Sequence, residues 1–345
     1  MRILLTFDTN YAPHAATVME SIIQNCPEKL DFVIIYFDLN KETQDIFTQH
    51  FALKVKSIEF IRMDEERLKS IAENINAVEH LGLNTYLRLF ATELLPNDRH
   101  IIYLDCDIIV NENILRIIDG ADLSKPICAV TEYDPMYKLN DLNSPDIKKP
   151  LNPWISEALW YRIYFDLEMD CKHSKYFNAG VMVMNLDYWR DNKITEKSLR
   201  FMVENPEKIF YGDQDALNFV INGNHFPLNL RWNFVPDTLS IFNNYPLSVL
   251  KEIQKNPAII HTAGTIKPWK YLCDSKFKNL YKYYRKFTPW PKVVYKDITL
   301  KNVLKKCIVQ NIEKLLGKRS VEMLKTFAPG KEKYWVYKIS KMRVR

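Results

Sequence analysis

The chain has 345 residues, of which 47% are hydrophobic and 26% charged, a composition typical of a folded globular protein and not of a disordered one. Its six cysteines include no Cys-x-x-Cys pair, which argues against a disulfide framework, a zinc knuckle or a thioredoxin-like site. No apolar run approaches the roughly 20 residues of a membrane-spanning helix, and the N-terminus lacks the apolar core of a secretory signal, so we expect a cytoplasmic protein.

The net charge of +6 conceals a strong asymmetry along the chain. Residues 276–345 hold 20 lysines and arginines against 4 aspartates and glutamates, which gives this segment a net charge of about +16. The preceding residues, with 28 basic and 38 acidic side chains, carry a net charge of about −10. The sequence therefore predicts an acidic body followed by a basic C-terminal segment.

Short apolar runs alternate with stretches of helical spacing through the first third of the chain. The apolar runs predict strands at 3–7, 32–37, 58–61 and 101–104, and the helical spacing predicts helices at 13–24 and 41–51. Continuous apolar strands separated by helices indicate an α/β protein with a mostly parallel sheet that is covered on both faces. Further along, the pattern predicts strands at 177–184 and 258–261 and helices at 187–204 and 213–221.

The regular pattern is interrupted between Glu132 and Lys175. Prolines at positions 135, 145, 150 and 153 break it, and an aromatic-rich stretch follows at 154–165. We interpret residues 132–175 as an insertion in the sheet domain that lies over the acceptor side of its binding site.

Polar residues that directly follow strands are the first candidates for function, because ligands of parallel sheets bind outside the carboxyl ends of the strands. Asp8, Asp105 and His261 occupy such positions. Asp105 and Asp107 are hard oxygen ligands, suited to Mn²⁺ or Mg²⁺ with a diphosphate completing the coordination shell. A carboxylate at the end of an apolar strand is costly to bury unless it is paired or metal-bound. We therefore predict a metal site here, with a solvated turn as the alternative.

Three further positions have both a functional and an ordinary interpretation. His261 could supply a third metal ligand, and Gly264 and Lys267 could approach a phosphate, although a strand-end histidine and a surface lysine would look the same. Asp213 stands at a predicted helix start, where an N-cap is the commoner role. Asn178 interrupts an apolar strand and therefore requires a hydrogen-bond partner from the protein or from a ligand.

Six short segments taken together resemble glycosyltransferase family 8, the retaining enzymes that include bacterial lipopolysaccharide galactosyl- and glucosyltransferases. The segments occur in the family's order between Met1 and about Lys270. They are FDTNY at 7–11, TYLR at 85–88, YLDCD at 103–107, FNAG at 177–180, DQD at 213–215 and HTAGTIKPW at 261–269. One such segment would be weak support for a relationship, whereas six in the same order are strong support.

The resemblance implies a GT-A catalytic domain over residues 1–275, a Rossmann-like sheet flanked by helices, which transfers a hexose from a UDP-sugar. It implies a divalent metal, Mn²⁺ or Mg²⁺, held by Asp105, Asp107 and His261. The residues expected to bind the nucleotide and its diphosphate are Asp8, Asn10, Tyr11, Gly264 and Lys267, with His80 nearby. The residues expected to line the sugar pocket are Arg88, Asn178, Ala179, Asp213 and Gln214, and the catalytic candidates among them are Arg88, Asp213 and Gln214.

Retention of configuration at the anomeric carbon requires either a nucleophile on its far face or attack from the front face. Gln214 is the residue that the family places near the far face, but an amide is a poor nucleophile. We therefore favour front-side attack, in which an oxygen of the donor phosphate accepts the acceptor's proton, while the metal and Lys267 neutralise the charge on the UDP leaving group.

The basic C-terminal segment has the pattern of an amphipathic helix. Its recurring apolar positions are Ile298, Val303, Leu304, Ile308, Ile312, Leu315 and Leu316, and the basic positions among them are Lys301, Lys305, Lys306, Lys314, Lys318 and Arg319. Such a helix is typical of segments that lie on an anionic membrane. We expect residues 276–345 to hold the protein on the inner face of the cytoplasmic membrane. The alternative is a helix whose basic face docks on the acidic body.

The expected function is hexosyl transfer from a UDP-hexose, galactose or glucose, to a glycan or glycolipid such as lipopolysaccharide or another envelope saccharide. One alternative is a sugar-nucleotide nucleotidyltransferase, but the stretch 8–13 after the first strand has no glycine of a phosphate-binding loop. The other is a nucleic-acid binder that uses the basic segment for phosphate contacts. That alternative leaves the strand-end carboxylates unexplained, so we expect no nucleic-acid partner.

Overall fold

The computed structural model describes residues 1–74, 83–133, 167–169, 175–236, 247–263, 267–273, 275 and 277–316. Most of the predicted insertion at 132–175 lies outside the described residues, as do His80, Gly264 and the last part of the basic segment. Within the described part of the chain, no helix combines the length and apolar character needed to cross a membrane.

Strands and helices alternate in the first part of the chain. The strands form one main sheet, and helices lie on both of its faces. The strands are β1 Arg2–Thr6, β2 Asp31–Tyr36, β3 Ser57–Arg62, β4 His100–Leu104, β5 Ile108–Val110, β6 Ile127–Tyr133, β7 Tyr176–Asn185, β8 Phe226–Leu228 and β9 Ile259–His261. The α-helices are α1 Ala12–Asn25, α2 Lys41–Phe51, α3 Glu65–Asn74, α4 Ala91–Leu94, α5 Leu186–Asp191, α6 Ile194–Glu204, α7 Asp213–Ile221, α8 Leu247–Lys255, α9 Lys278–Arg285 and α10 Leu300–Leu316. Short 3₁₀ helices lie at Leu83–Phe90, Ile114–Ile118, Pro206–Lys208 and Leu230–Asn233.

The main sheet has seven strands in the order β3-β2-β1-β4-β7-β6-β8. Strands β3, β2, β1 and β4 are parallel, and so is the pair β6 and β8. Among the described strands of this sheet, only β7 runs antiparallel to its neighbours, β4 and β6. The predicted α/β class with a mostly parallel sheet is therefore confirmed. A second sheet consists of β5 and β9, paired antiparallel with Ile108 opposite His261.

Both faces of the main sheet are buried, as the continuous apolar strands predict. Along β1, Ile3 and Leu5 pack in a cluster with residues of α1 and α2. Leu4 points to the opposite face, where it packs in a cluster that includes Tyr86 and Trp189. The carboxyl ends of the parallel strands therefore lie at one edge of the sheet, between the two layers of helices.

Local sequence signals explain where several helices begin. The side chain of Asn40 accepts a hydrogen bond from Thr43 N at 2.8 Å and caps α2, which spans the predicted residues. The predicted single helix at 187–204 is wrong, because two helices lie there. Lys193 adopts a left-handed conformation with φ +52° between α5 and α6, and this breaks the helical path.

The first part of the basic C-terminal segment packs on the acidic body. Helix α9 lies against α1, and its Tyr281, Tyr284 and Arg285 are buried. Beyond this helix, the ring of Trp290 lies 5.7 Å from that of Phe47. The later helix α10 differs, because Leu300, Leu304 and Ile308 are all more than half exposed.

Candidate active site

Asp105, Asp107 and His261 converge at the carboxyl end of the main sheet. After β4 the chain turns through Cys106 into β5, and the pairing of β5 with β9 brings His261 beside the turn. His261 Nε2 lies 3.2 Å from Asp107 Oδ1 and 3.7 Å from Asp105 Oδ2. One potential ligand atom from each residue lies within 4.8 Å of the others, a spacing that one cation can bridge.

A chain of hydrogen bonds fixes the orientation of the His261 ring. The backbone N of Gly180 donates to Asn178 Oδ1 at 3.0 Å, and Asn233 Nδ2 donates to the same oxygen at 2.8 Å. Asn233 Oδ1 then accepts from His261 Nδ1 at 2.9 Å. Because Nδ1 donates to Asn233, Nε2 is the ring nitrogen that faces the two carboxylates, and in the neutral imidazole its lone pair can bind a metal.

Hydrogen bonds also orient the carboxylates of Asp105 and Asp107. Asp105 Oδ1 accepts from Tyr103 OH at 2.6 Å and from Arg88 Nη1 at 3.1 Å, while its Oδ2 faces His261. The ammonium of Lys267 contacts Asp107 and also donates to the carbonyl of Thr262 at 3.0 Å. The phosphate-binding candidate Lys267 therefore lies directly beside the metal-ligand candidates.

The electrostatics of the cluster are those of carboxylates held by cations. Burial would raise the pKa of Asp107, but the charges of Lys267 and His261 outweigh burial and hold that pKa well below its usual range. Burial would lower the pKa of His261, and the carboxylate of Asp107 outweighs it, so that the pKa of His261 is raised. Two carboxylates and one imidazole suit Mn²⁺, and a divalent ion would replace the positive charge that Lys267 and His261 now supply.

Arg88 binds two other residues of the predicted sugar pocket. Its Nε and Nη2 donate to the two carboxylate oxygens of Asp213 at 2.5 and 2.8 Å, and Nη1 donates to the carbonyl of Ala179 at 3.0 Å. Asp213 is the first residue of α7, but no side-chain capping bond forms at that helix start. The N-cap interpretation of Asp213 is therefore wrong, because its carboxylate is occupied by Arg88.

Gln214 is held through both ends of its amide. Its Oε1 accepts from Ala179 N at 3.0 Å, and its Nε2 donates to Tyr176 OH at 3.0 Å and to Glu132 Oε2 at 3.2 Å. Asn178 Nδ2 also donates to Glu132 Oε2, at 3.4 Å. Burial raises the pKa of Glu132.

Two residues of the site, Glu132 and Asn233, are not among the sequence-based candidates. Glu132 lies near the end of β6, a strand that the pattern analysis did not include. The apolar run at 127–130 before it, read by the strand-end rule, could have indicated it. Asn233 closes a short 3₁₀ helix, and nothing in the local sequence distinguishes it from other polar residues of loops.

The predicted nucleotide residues lie at the end of β1 and the start of α1. Asp8 Oδ1 accepts from Tyr11 N at 2.9 Å, and Asn10 is exposed. The ring of Tyr11 is 40% exposed and meets the ring of Trp269 edge-on at 5.9 Å. An open tyrosine face beside the charged cluster is suited to stacking on a nucleobase. His80 and Gly264 lie outside the described residues.

The fold places the chain in the GT-A class. The solved galactosyltransferase LgtC, in complex with donor and acceptor sugar analogs, has the same fold, with a TM-score of 0.65 at 20% identity. That similarity covers 88% of this chain and 100% of the LgtC chain. The predicted GT-A fold is confirmed.

Residues 2–273 match the model of glycosyl transferase family 8, and the chain belongs to this family. Relatives include general stress protein A of Bacillus subtilis strain 168, 26% identical over 308 residues, or 84% of this chain and 94% of that protein. They also include a lipopolysaccharide 1,2-glucosyltransferase of Escherichia coli K12, 24% identical over 320 residues, or 88% of this chain and 84% of that protein. The membership confirms the predicted family and places the chain among glycosyltransferases, not nucleotidyltransferases.

Proposed function

We propose that this glycosyltransferase is a retaining hexosyltransferase. It transfers galactose or glucose from a UDP-sugar to a glycan of the cell envelope, such as lipopolysaccharide, and it requires a divalent metal. The observation that carries the proposal is the convergence of Asp105, Asp107 and His261 with Lys267 at the carboxyl end of the sheet. The envelope acceptor is supported by the relationship to the Escherichia coli lipopolysaccharide 1,2-glucosyltransferase.

Asp105, Asp107 and His261 would hold Mn²⁺ through two carboxylate oxygens and one imidazole nitrogen. The bound ion would supply positive charge to the diphosphate of the donor. Lys267, now paired with Asp107, would offer its ammonium to the same diphosphate and stabilise the UDP leaving group. Asp8, Asn10 and Tyr11 would bind the uridine, with the exposed ring of Tyr11 stacking on the base.

The hydrogen bonding of Gln214 and Asp213 favours front-side attack over a nucleophilic role for either residue. A nucleophile on the far face would need a free side-chain oxygen, but Gln214 Oε1 already accepts from Ala179 N. Both carboxylate oxygens of Asp213 accept from Arg88. We therefore assign Arg88, Asp213 and Gln214 to binding the sugar and to stabilising the transition state electrostatically. The acceptor's proton would pass to an oxygen of the donor phosphate.

UDP release from a panel of UDP-sugars, with Mn²⁺ and with chelator, tests the proposal directly. We expect release from UDP-galactose or UDP-glucose that needs Mn²⁺ and is lost in Asp105→Asn. Asp122→Asn is the matched control, because Asp122 is a surface carboxylate that accepts from Ser124 at 2.6 Å. Metal-independent release, or an active Asp105→Asn protein, would contradict the metal site. If no UDP is released from any UDP-sugar in the absence of an acceptor, calorimetric titration of the protein with UDP in the presence of Mn²⁺ decides whether a donor site exists.

We also propose that the enzyme lies on the inner face of the cytoplasmic membrane through α10. Leu300, Leu304 and Ile308 are exposed on this helix, with Lys301 exposed between them. Apolar side chains among lysines suit the interface of an anionic bilayer. Because α9 is packed on the body, the membrane contact is assigned to the segment beyond it.

Sedimentation with vesicles tests the membrane proposal, with vesicles containing phosphatidylglycerol compared with neutral phosphatidylcholine vesicles. We expect binding to the anionic vesicles that weakens with salt and with the triple substitution of Leu300, Leu304 and Ile308 by serine. Substitution of Val203, an exposed apolar residue of α6, by serine is the control. Equal binding of the triple variant and the wild type would contradict the assignment to α10.

A further inference from the structure

Three aromatic rings form one wall beside the charged cluster, and we call Tyr11, His14 and Trp269 the nucleotide wall. The imidazole of His14 stacks on the indole of Trp269 with centroids 3.6 Å apart and an interplanar angle of 19°. Tyr11 meets both rings edge-on, at 5.5 Å from His14 and 5.9 Å from Trp269. The position of the exposed Tyr11 ring therefore depends on the stacked pair behind it.

The basic C-terminal segment supports this wall from the other side. Tyr281 and Arg285 lie one turn apart on α9, and both are buried. Arg285 Nη1 donates to Tyr281 OH at 2.7 Å, and the same hydroxyl lies 2.7 Å from His14 Nδ1. Arg285 Nη1 also lies 3.3 Å from His14 Nδ1. The rings of Trp269 and Tyr281 also pack together, with centroids 5.6 Å apart.

The direction of these hydrogen bonds fixes the protonation state of His14. A guanidinium has only donors, so Tyr281 OH accepts from Arg285 and gives its own proton to His14 Nδ1. The imidazole proton must then reside on Nε2. Burial, and then the charge of Arg285, lower the pKa of His14 to about 3, so the ring is neutral at physiological pH.

The backbone that carries Trp269 is attached to the same helix. Lys278 is the first residue of α9, and its ammonium donates to the carbonyl of Lys270 at 2.9 Å and to that of Cys273 at 3.3 Å. Both halves of the stacked pair, His14 on α1 and Trp269 in this turn, are thus held by α9.

We propose that Tyr281 and Arg285 are positioning residues of the nucleotide site, and that they act by holding His14 against the nucleotide wall. The inference rests on the proposed function, because it takes the nucleobase of the donor as the ligand of Tyr11. The wall would contact the base equally in the ground state and the transition state. Loosening it should therefore weaken donor binding without slowing the chemical step.

The test compares two tyrosines of the same helix. Tyr281→Phe keeps the packed ring and removes the hydroxyl that bonds both Arg285 and His14, while the longer direct contact between Arg285 Nη1 and His14 Nδ1 at 3.3 Å remains. The matched control is Tyr284→Phe, since Tyr284 is similarly buried but its hydroxyl accepts from Asn25 at 2.7 Å, away from the wall. We expect Tyr281→Phe to raise KM for the UDP-sugar about three- to tenfold, the effect of losing one hydrogen bond, with kcat within about twofold. Tyr284→Phe should change neither.

A second measurement requires no UDP-sugar. Nitrogen-15 NMR of labelled histidine, with the His14 signal identified through His14→Asn, should show the proton on Nε2 in the wild type. Equal KM values for the two phenylalanine variants, or a wild-type His14 protonated on Nδ1, would overturn the inference. A wild type that has this tautomer but neither binds UDP nor uses any UDP-sugar would instead refute the proposed function.

Discussion

Arg88 and Asp213 form a bidentate ion pair in the interior of the protein, with N–O distances of 2.5 and 2.8 Å. Arg88 is 4% exposed and Asp213 is not exposed at all, so neither charge can be compensated by water. The same guanidinium reaches Asp105 at 3.1 Å. This pair therefore connects the predicted sugar pocket with the metal-ligand candidates.

Replacing Arg88 with alanine should strongly destabilise the fold, because Asp213 would be left as a buried and unpaired charge. We expect the free energy of unfolding to fall by about 3–5 kcal/mol, measured by urea denaturation. Arg67→Ala is the matched control, since Arg67 forms a bidentate pair with Glu93 in which both side chains are about half exposed. That exposed pair should contribute less than about 1 kcal/mol. Similar losses in the two variants would show that the buried pair has no special role.

Gly180 leaves space for two of the metal-ligand candidates, and this space predicts the effect of a single methyl group. A Cβ atom at this position would overlap the imidazole of His261 and approach Asp105 Oδ2 to 2.7 Å. We expect Gly180→Ala to reduce the affinity for Mn²⁺ by about 10- to 100-fold, measured by calorimetric titration. In the control Gly120→Ala, the added Cβ meets no atom within 4 Å, although φ is +73°. This variant should lose about 1 kcal/mol of stability and no metal affinity. Unchanged Mn²⁺ binding in Gly180→Ala would contradict the assigned ligands.

Metal binding should depend on pH through His261, which must be neutral to act as a ligand. The carboxylate of Asp107 outweighs burial and raises the pKa of His261 in the metal-free protein. Below that pKa, Mn²⁺ must displace a proton, so its affinity should rise about tenfold per pH unit and level off above the pKa. In the metal-free protein, the raised pKa stabilises the fold at low pH, and this contribution is lost as the pH rises through it.

Calorimetric titrations in two buffers of different ionisation heat would count the displaced protons. His261→Asn should bind Mn²⁺ more weakly and without this pH dependence. Wild-type affinity that is constant below neutral pH would show that His261 does not bind the ion.

The fold was largely predictable because the central strands β1, β2 and β4 are almost fully buried. The apolar runs at 3–7, 32–37 and 101–104 have no other stable environment than the centre of a covered sheet. The positive φ of Lys193, in contrast, follows no strong residue preference, and it divides a stretch that has helical spacing throughout.

The sequence indicated single residues of the candidate site, but not how residues from separate parts of the chain come together. The strand-end rule indicates Asp105 and His261 individually, but only the pairing of Ile108 with His261 brings the imidazole to Asp107. Asn233 orients the imidazole of His261, which lies 28 residues further along the chain. Such a contact depends on register and packing, which one sequence does not specify.

Glu132 is an acidic residue beside Gln214 and Asn178 that is not among the sequence-based candidates. Its Oε2 accepts from Gln214 Nε2 and from Asn178 Nδ2, so a carboxylate that only accepts keeps both amides oriented. In Glu132→Gln, an NH₂ group at the Oε2 position would compete with these donors, and a neutral amide oxygen in that position would accept more weakly than the carboxylate, so the orientation of Gln214 is less firmly held in either case.

We expect Glu132→Gln to lower kcat about tenfold with little effect on the affinity for UDP, because the nucleotide contacts lie elsewhere.

The same substitution should also change how the stability of the protein depends on pH. Burial raises the pKa of Glu132 in the folded state, so the wild type loses stability as the pH rises from the unfolded pKa through the folded one. The glutamine variant lacks this loss, and urea denaturation at acidic and alkaline pH should show a smaller decrease. Glu112→Gln, which alters a carboxylate paired with Arg231, is the control. An unchanged kcat in Glu132→Gln would separate this residue from catalysis.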